Sequence, residues 1–529
     1  MAGSIRTGTT GRYFGRPIRP PARTITGTAD KSDRSNSGAT MGSSEARAGE
    51  SAAVRLGRGA PLPDVLDSAD AAAWIGLDIG VRHVASYHPE LLSALRKIGG
   101  RQLGRDRDAA LSEIRDQVEL LDESGLVLAL CHRNGAVRKA ALSRAAEYPA
   151  LAPLIVIRGA DWAPPVRDRA QRLLREILPR RTAEETAALA PLLLRVGDRD
   201  RGVFGVGLLR ETLHQAPHRR LAPLLTHPDR AVRRFAHRIA VAERVLSPAE
   251  LARTAAGDPD TVVQNLCAEA ALASMGADAY EEVLDALLTA RNPRTRSAGV
   301  TALRRAGRPA AARPFLTDRS ALVRACARYV LRQYGTDPRP LYRSWCAHPD
   351  DAALPPGAPI GLAECGARTD AELLWPLIAH PASRVRARAV AGLRTLDVAD
   401  PDRLRPLLED PSPAVARETA TALLPSAARL SAPWLRQLLA PHRPRHTRLA
   451  AFRLLDAQGG IPQLRAAVAL LDDPDDKLRT RAGQSVRRLL PPAGMPRGDA
   501  EAAALLERCE HLFSAHVLRR HKWQLGLAG

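Results

Sequence analysis

Apolar residues return along this chain with a helical rather than an alternating rhythm. In the stretch LAPLLTHPDRAVRRFAHRIA, the marks are Leu221, Leu224 and Leu225, then His227-Pro228, then Val232-Arg233 and Ala236. Spacings of three and four keep such residues on one helix face, whereas a strand would alternate them. The same phrase returns as Leu404, Leu407, Leu408, Asp410-Pro411, Val415 and Leu423. It appears again as Leu470, Leu471, Asp473-Pro474, Leu478-Arg479, Ala482 and Val486. The anchor, before an Arg in every copy but those at Val263 and Val415, falls at Val137, Val166, Val232, Val263, Thr295, Val323, Val385, Val415, Thr447 and Leu478. Most gaps between anchors are 28 to 32 residues, and two are 66 and 62, about twice as long. Degenerate copies are expected in the long gaps, around Val203–Leu209 and Ile360–Cys365.

Each copy predicts a pair of helices. Residues eleven, eight and seven before the anchor share a face of the first, as Leu374, Leu377 and Ile378 do. A Pro in the turn stops that helix, and the anchor with the residues four and eight later opens the apolar face of the second. The middle seat is small: Ala141, Ala170, Ala236, Cys267, Gly299, Ala327, Ala389, Ala451 and Ala482. Leu174, Leu303, Leu331, Leu393, Leu423 and Leu455 fill the next layer. One pair of ~31 residues cannot bury both its faces, but stacked neighbours can. The predicted fold class is all-α, an α-solenoid of stacked antiparallel helix pairs. Its expected organisation is a disordered basic tail over 1–68, the solenoid over 69–498, and a capping helix and tail over 499–529. The capping helix is expected over about Asp499 to Arg520.

The phrase resembles the HEAT repeat, in the short form of phycobilisome-lyase-like HEAT proteins. The resemblance covers roughly residues 70–490, with ten clear copies. It implies scaffolding and partner recognition on a concave face lined by second helices, with a structural Asp–Arg ladder beside it. Some members of that family are bilin lyases, and a related helical-repeat group resembles DNA alkylation-repair glycosylases. No pattern in this chain extends the resemblance to those active sites.

Composition sharpens this picture. Aromatics are only 4% of 529 residues, while hydrophobic residues reach 45%, which suits Ala seats and Leu layers better than a β-protein. No apolar run approaches the ~20 residues that cross a bilayer. Lys and Arg number 78 against 57 Asp and Glu, a formal charge of +21. Residues 1–68 carry only +4 of it, so the charge belongs mainly to the folded part. Lys31, Lys97, Lys139, Lys477 and Lys522 are the only lysines; the other basic residues are Arg. Such an excess favours acidic partners, although a biased genome also enriches Arg and Ala together. Six widely spaced cysteines without a CxxC argue against a disulfide scaffold or zinc module and fit a reduced, cytoplasmic protein. The first residues, rich in Arg and broken by Gly and Pro, lack an apolar signal core, and either Met1 or Met41 could be the start.

The Arg population divides in two. Arg138, Arg167, Arg233, Arg296, Arg324, Arg386, Arg448 and Arg479 directly follow anchors, at the edge of the core stripe. They are expected to bridge to carboxylates of neighbouring turns, such as Asp258, Asp318, Asp410 or Asp473. Positions two, six and nine after the anchor point away from the core. There lie Lys139, Arg172, Arg175, Arg234, Arg238, Arg304, Arg332, Arg394, Arg417, Arg453 and Arg487, the expected partner-binding row of a basic concave face.

Catalytic and metal candidates are thin, and no catalytic residue, metal or cofactor is expected. His442 and His446 are interrupted by Pro444, and His511, His516 and His521 do not share a face at spacing five. Cys131-His132 adjacency alone makes no thiolate–imidazole pair. The expected function is a non-enzymatic scaffold for an acidic protein partner. A nucleic-acid binder using the exposed Arg row is the alternative, and a lyase- or glycosylase-like enzyme ranks third.

Overall fold

The computed structural model describes residues 46–87, 107–276, 280–488 and 495–527. The start-site question and most of the expected disordered tail lie outside the described residues. Among those described, every regular element is helical. They divide into two compact units, Met1–Glu243 and Arg244–Gly529.

The N-terminal unit stacks helix pairs such as Glu123–Leu130 with Gly135–Ala145, and Ala152–Arg158 with Pro164–Ile177. The C-terminal unit continues the same plan, from Pro248–Gly257 with Thr261–Ser274 to Gly460–Ala469 with Asp476–Arg487. Within each unit a second helix packs on the next second helix, as Pro413–Leu423 does against both Ser383–Thr395 and Arg445–Gln458. That neighbour-on-neighbour stacking is an α-solenoid, in agreement with the HEAT-type repeat read from the sequence. The long gaps hold helix pairs of their own. Ala183–Gly197 with Val203–His214 fills the first, and Arg339–Cys346 with Ala358–Ala363 the second.

The anchors are the core. Val137, Val232, Val263, Val323, Val385, Val415, Thr447 and Leu478 are fully buried, as are the small seats Ala141, Ala236, Cys267, Ala327, Ala389, Ala451 and Ala482. Gly299 shows why the seat is small: a Cβ there would lie 2.9 Å from the Cβ of Leu287 and 3.2 Å from the backbone nitrogen of Leu288. Two anchors are Thr, and neither Thr295 nor Thr447 has a hydrogen-bond partner for its hydroxyl. They occupy Val-shaped seats.

Three expectations about elements differ from the structure. First helices are not uniformly α-helical: Pro309–Thr317 is 3₁₀ throughout, and Ala371–Leu374 and Pro401–Leu404 pass into 3₁₀ turns. Pro314, Pro376 and Pro406 lie in these stretches, and each removes a backbone donor there, although Ala183–Gly197 and Pro217–Leu225 stay α-helical around Pro191 and Pro223. Secondly, the folded part begins before residue 69. Residues 46–57 form a helix with Ala53 and Leu56 buried. It crosses Ala71–Tyr87 backbone to backbone: a Cβ on Gly49 would lie 1.8 Å from the carbonyl oxygen of Gly76, and one on Gly80 2.1 Å from the carbonyl carbon of Gly49. Glycine is the residue that permits such an approach. Thirdly, the C-terminal cap is two helices, Ala500–Arg508 and Ala515–Gln524, joined by the 3₁₀ turn Glu510–Leu512. Ser514 caps the later helix by accepting from the N–H of Val517.

Candidate partner-binding site

The Arg after each anchor is committed to the scaffold. Arg138 donates from Nη1 to the carbonyls of His132 and Arg133 in its own turn, at 2.7 and 2.9 Å. Its Nε and Nη2 reach Asp161 of the next turn at 2.9 and 2.8 Å. Arg296 repeats this with Ala290, Arg291 and Asp318, and Arg386 with His380, Pro381 and Asp410. Arg448 holds the Leu439 carbonyl and the Asp473 carboxylate. Arg324 holds the Asp318 carbonyl, then turns to Glu364, which the short helix Ala358–Ala363 supplies where the next turn is degenerate. Arg167, Arg233 and Arg479 donate to carbonyls of their own turns, those of Asp161, of His227 and Pro228, and of Asp473. Serving two turns at once needs a planar fork of donors, which Lys does not have.

The acceptors are themselves pinned. An oxygen of Asp161, Asp318, Asp410 and Asp473 accepts the backbone N–H two residues on. His132, His227 and His380 do the same with Nδ1 at that turn position. Burial alone would raise the Asp161 pKa, but the Arg138 and Ala163 hydrogen bonds and the nearby Arg158 outweigh it and hold the carboxyl below the usual range. Asp410 and Asp473 are held low in the same way, by Arg386 and Arg448 against their burial. In the N-terminal unit the pair grows into a buried network. Arg158 lies 2.9 Å from Asp161 and 2.5 Å from Asp78, and Asp78 also takes Arg82 at 3.2 Å.

The residues two, six and nine after the anchors lie differently. Lys139, Arg172, Arg175, Arg238, Arg304, Arg332, Arg394, Arg417, Arg453 and Arg487 are exposed, and Arg234 is half-buried. The structure brings only some of them together. The Arg175 guanidinium lies over Phe204, 4.6 Å from the ring centre. Arg304 joins Arg305, Gln333 and Tyr334 in a hollow of about 270 Å³.

Arg417 and Arg453 line a larger groove of about 490 Å³ across three successive second helices, Pro413–Leu423, Arg445–Gln458 and Asp476–Arg487. Lys477, Arg481 and Arg488 complete its walls, Ala420, Leu449, Ala450 and Phe452 its floor, and Asp456 is the one carboxylate lining it among the described residues. Arg453 is steadied by a 2.8 Å bond from Nη1 to the Thr421 hydroxyl. Lys477 and Arg481 have no side-chain partner among the described residues. Arg394 and Arg487 do not line this groove.

Lys477, Arg481 and Arg488 stand one before, three after and ten after their anchor, positions outside the expected row. At about 100° per residue, Arg417 sits roughly 200° from its anchor, whereas these three sit roughly 260–300° from theirs. The groove is therefore lined from near the crest of the first two helices and from one flank of the third. That signal was present in the helical wheel.

Chemistry beyond charge is sparse. Burial, with Asp78 beside it, pushes the Cys131 thiol far above its ordinary range, and burial pushes Cys267 and Cys346 up to about 12. These thiols are protonated and make poor nucleophiles. His446 Nε2 contacts the Asp410 carbonyl at 2.9 Å, and His521 packs against Phe513. Among the described residues no group of three His, Cys, Asp or Glu could hold a metal ion, and no helix is long and apolar enough to cross a membrane.

No protein-family profile and no curated protein matches this chain. Solved structures similar to it include Kap95 in a complex with Nup1, at 13% identity and a TM-score of 0.34, covering 94% of this chain and 78% of that one. Importin beta matches at 13% identity and a TM-score of 0.32, covering 86% and 75%. A Kap121p structure matches at 16% identity and a TM-score of 0.29, covering 83% of this chain. The present chain spans 53% of the length of Kap121p.

Proposed function

We propose that this protein is a non-enzymatic binding scaffold whose second helices hold an acidic region of a protein partner. The observation that carries this reading is the groove over Arg417, Arg453, Lys477, Arg481 and Arg488, which gathers five cations around one carboxylate. Charged groups there face solvent, where they steer an acidic partner and fix its register. The buried ladder contributes nothing to that attraction, since its charges are already paired. The free cysteines support a reducing, cytoplasmic setting.

Nucleic acid is the second reading, and the hollow at Arg304 favours it. Tyr329 and Tyr334 are both exposed beside Arg304, whose guanidinium lies 5.8 Å from the Tyr329 ring. Aromatic and Arg side chains together are what single strands use. A direct comparison separates the two. Fluorescence anisotropy of the full chain should show salt-sensitive binding of a labelled Glu-rich peptide and none of labelled DNA or RNA of equal charge. Salt-sensitive nucleic-acid binding, lost in Arg304→Glu with Tyr334→Ala, would turn the assignment to nucleic acid.

A further inference from the structure

We infer that the groove of the C-terminal unit is a subsite for an extended, Glu- or Asp-rich peptide segment of about seven residues, with Asp456 as its built-in competitor. This rests on the acidic-partner reading and adds a place, a length and an internal control.

The length follows from the helices. Three neighbouring second helices at 8–10 Å spacing give a groove on the order of 16–20 Å across, which six or seven extended residues span. Cations stand at both ends and in the middle: Arg417 on the first helix, Arg453 on the second, and Lys477, Arg481 and Arg488 on the third. A carboxylate every second or third residue meets one of them. The three guanidinium forks of Arg417, Arg453 and Arg481 suit carboxylates better than point charges would. The floor is apolar and shallow, with Ala420, Ala450 and Phe452 nearly covered, so it accommodates a narrow backbone and offers no deep pocket.

Asp456 makes the case specific. Ser485 donates to its Oδ1, and Gln463 Nε2 donates to the same oxygen at 3.1 Å. Its other oxygen lies 3.6 Å from Arg488 Nη2. The protein therefore holds one carboxylate of its own in the groove, already facing a groove cation. An incoming acidic side chain competes with it for Arg488 and is repelled by it. Asp456→Asn keeps an acceptor for Ser485 and Gln463 while removing the charge.

The test uses the full chain and fluorescent oligoglutamates of three, seven and twelve residues at low salt. Affinity should rise from three to seven residues and then level. Arg417→Glu and Arg481→Glu should each weaken heptaglutamate binding about tenfold, while Asp456→Asn should strengthen it about threefold or more. Arg313→Glu, on an exposed site of another element, should leave it unchanged. Equal melting temperatures and far-ultraviolet spectra of the variants exclude misfolding as the cause. If the peptide binds but Arg417→Glu and Arg481→Glu bind as well as the native chain, the groove assignment is wrong and the scaffold reading stands. If Asp456→Asn shows unchanged or weaker binding in a folded protein, the competitor role is wrong. If no oligoglutamate binds the native chain, the acidic-partner reading falls with it.

Discussion

The network around Asp161 in the N-terminal unit and the groove around Arg453 in the C-terminal unit are built from the same residue type to opposite ends. Arg138 and Arg158 are almost wholly buried, and each makes its charge-assisted bonds within the protein. Arg417 and Arg481 are exposed, and Arg417 has Glu418 only as a loose neighbour at 3.7 Å. The first arrangement has exchanged solvation for fixed geometry; the second keeps its charge available. An Arg-rich composition therefore reports two quantities, internal bracing and external field, and only position along the helix separates them.

The sharpest break of this contrast is Asp161→Ala. Leaving Arg138 and Arg158 buried without that carboxylate should cost about 3–5 kcal/mol, read by chemical denaturation. A cost below ~1 kcal/mol would mean that water already shares the site. Gly80→Ala comes next. The added Cβ collides with the backbone of Gly49, so the helix over 46–57 should undock and lose burial of Ala52, Ala53 and Leu56. We expect about 2–4 kcal/mol and new protease cleavage confined to that helix.

Acid should erode the bracing in two stages. The His132 pKa is lowered to about 4, by burial first and then by the Arg133 charge, from an ordinary 6.5. A group depressed on folding contributes stability that is present above its unfolded pKa and lost as pH falls, here between about 6.5 and 4. Asp161, Asp410 and Asp473 then withdraw their contributions below the ordinary carboxylate value of about 3.9. Denaturation midpoints measured across pH 7 to 3 should fall through both windows; a flat profile to pH 4 would contradict the His132 assignment. A smaller and opposite effect is expected for Thr295→Val and Thr447→Val, each gaining about 1 kcal/mol by removing a buried hydroxyl with no partner. Smallest of all, Arg417→Glu and Arg481→Glu should change stability by less than about 0.5 kcal/mol. A large loss there would mean that the groove braces the fold after all.

Much of the scaffold was legible because repetition averages out local noise. The Val anchors, their small seats and the Arg that follows are read directly from spacing, and so were three of the ladder acids, Asp318, Asp410 and Asp473. Asp161 stands five residues before Val166, the same place those acids hold before their anchors, and could have been included. Glu364 could not, since it belongs to a degenerate pair outside the register. The early helix over 46–57 was hidden by its own composition. Gly49, Ala52 and Ala53 read as a disordered stretch until Gly76 and Gly80, some thirty residues on, give them a surface to fit. The groove was half legible, Arg417 and Arg453 by position, with Lys477, Arg481 and Arg488 missed because a crest is visible in one helix and a flank only in two.

The ladder also has a direction. Arg138, Arg296, Arg386 and Arg448 each reach forward to the following repeat, so such a repeat presents a hook at one side and, where its turn carries Asp, an eye at the other. A duplicated segment carries one of each and can be spliced into the row with every hook still engaged. Growth by copying is thus forgiven by the chemistry in a way that point substitution is not, and chains of this design can vary in length far more readily than in turn sequence.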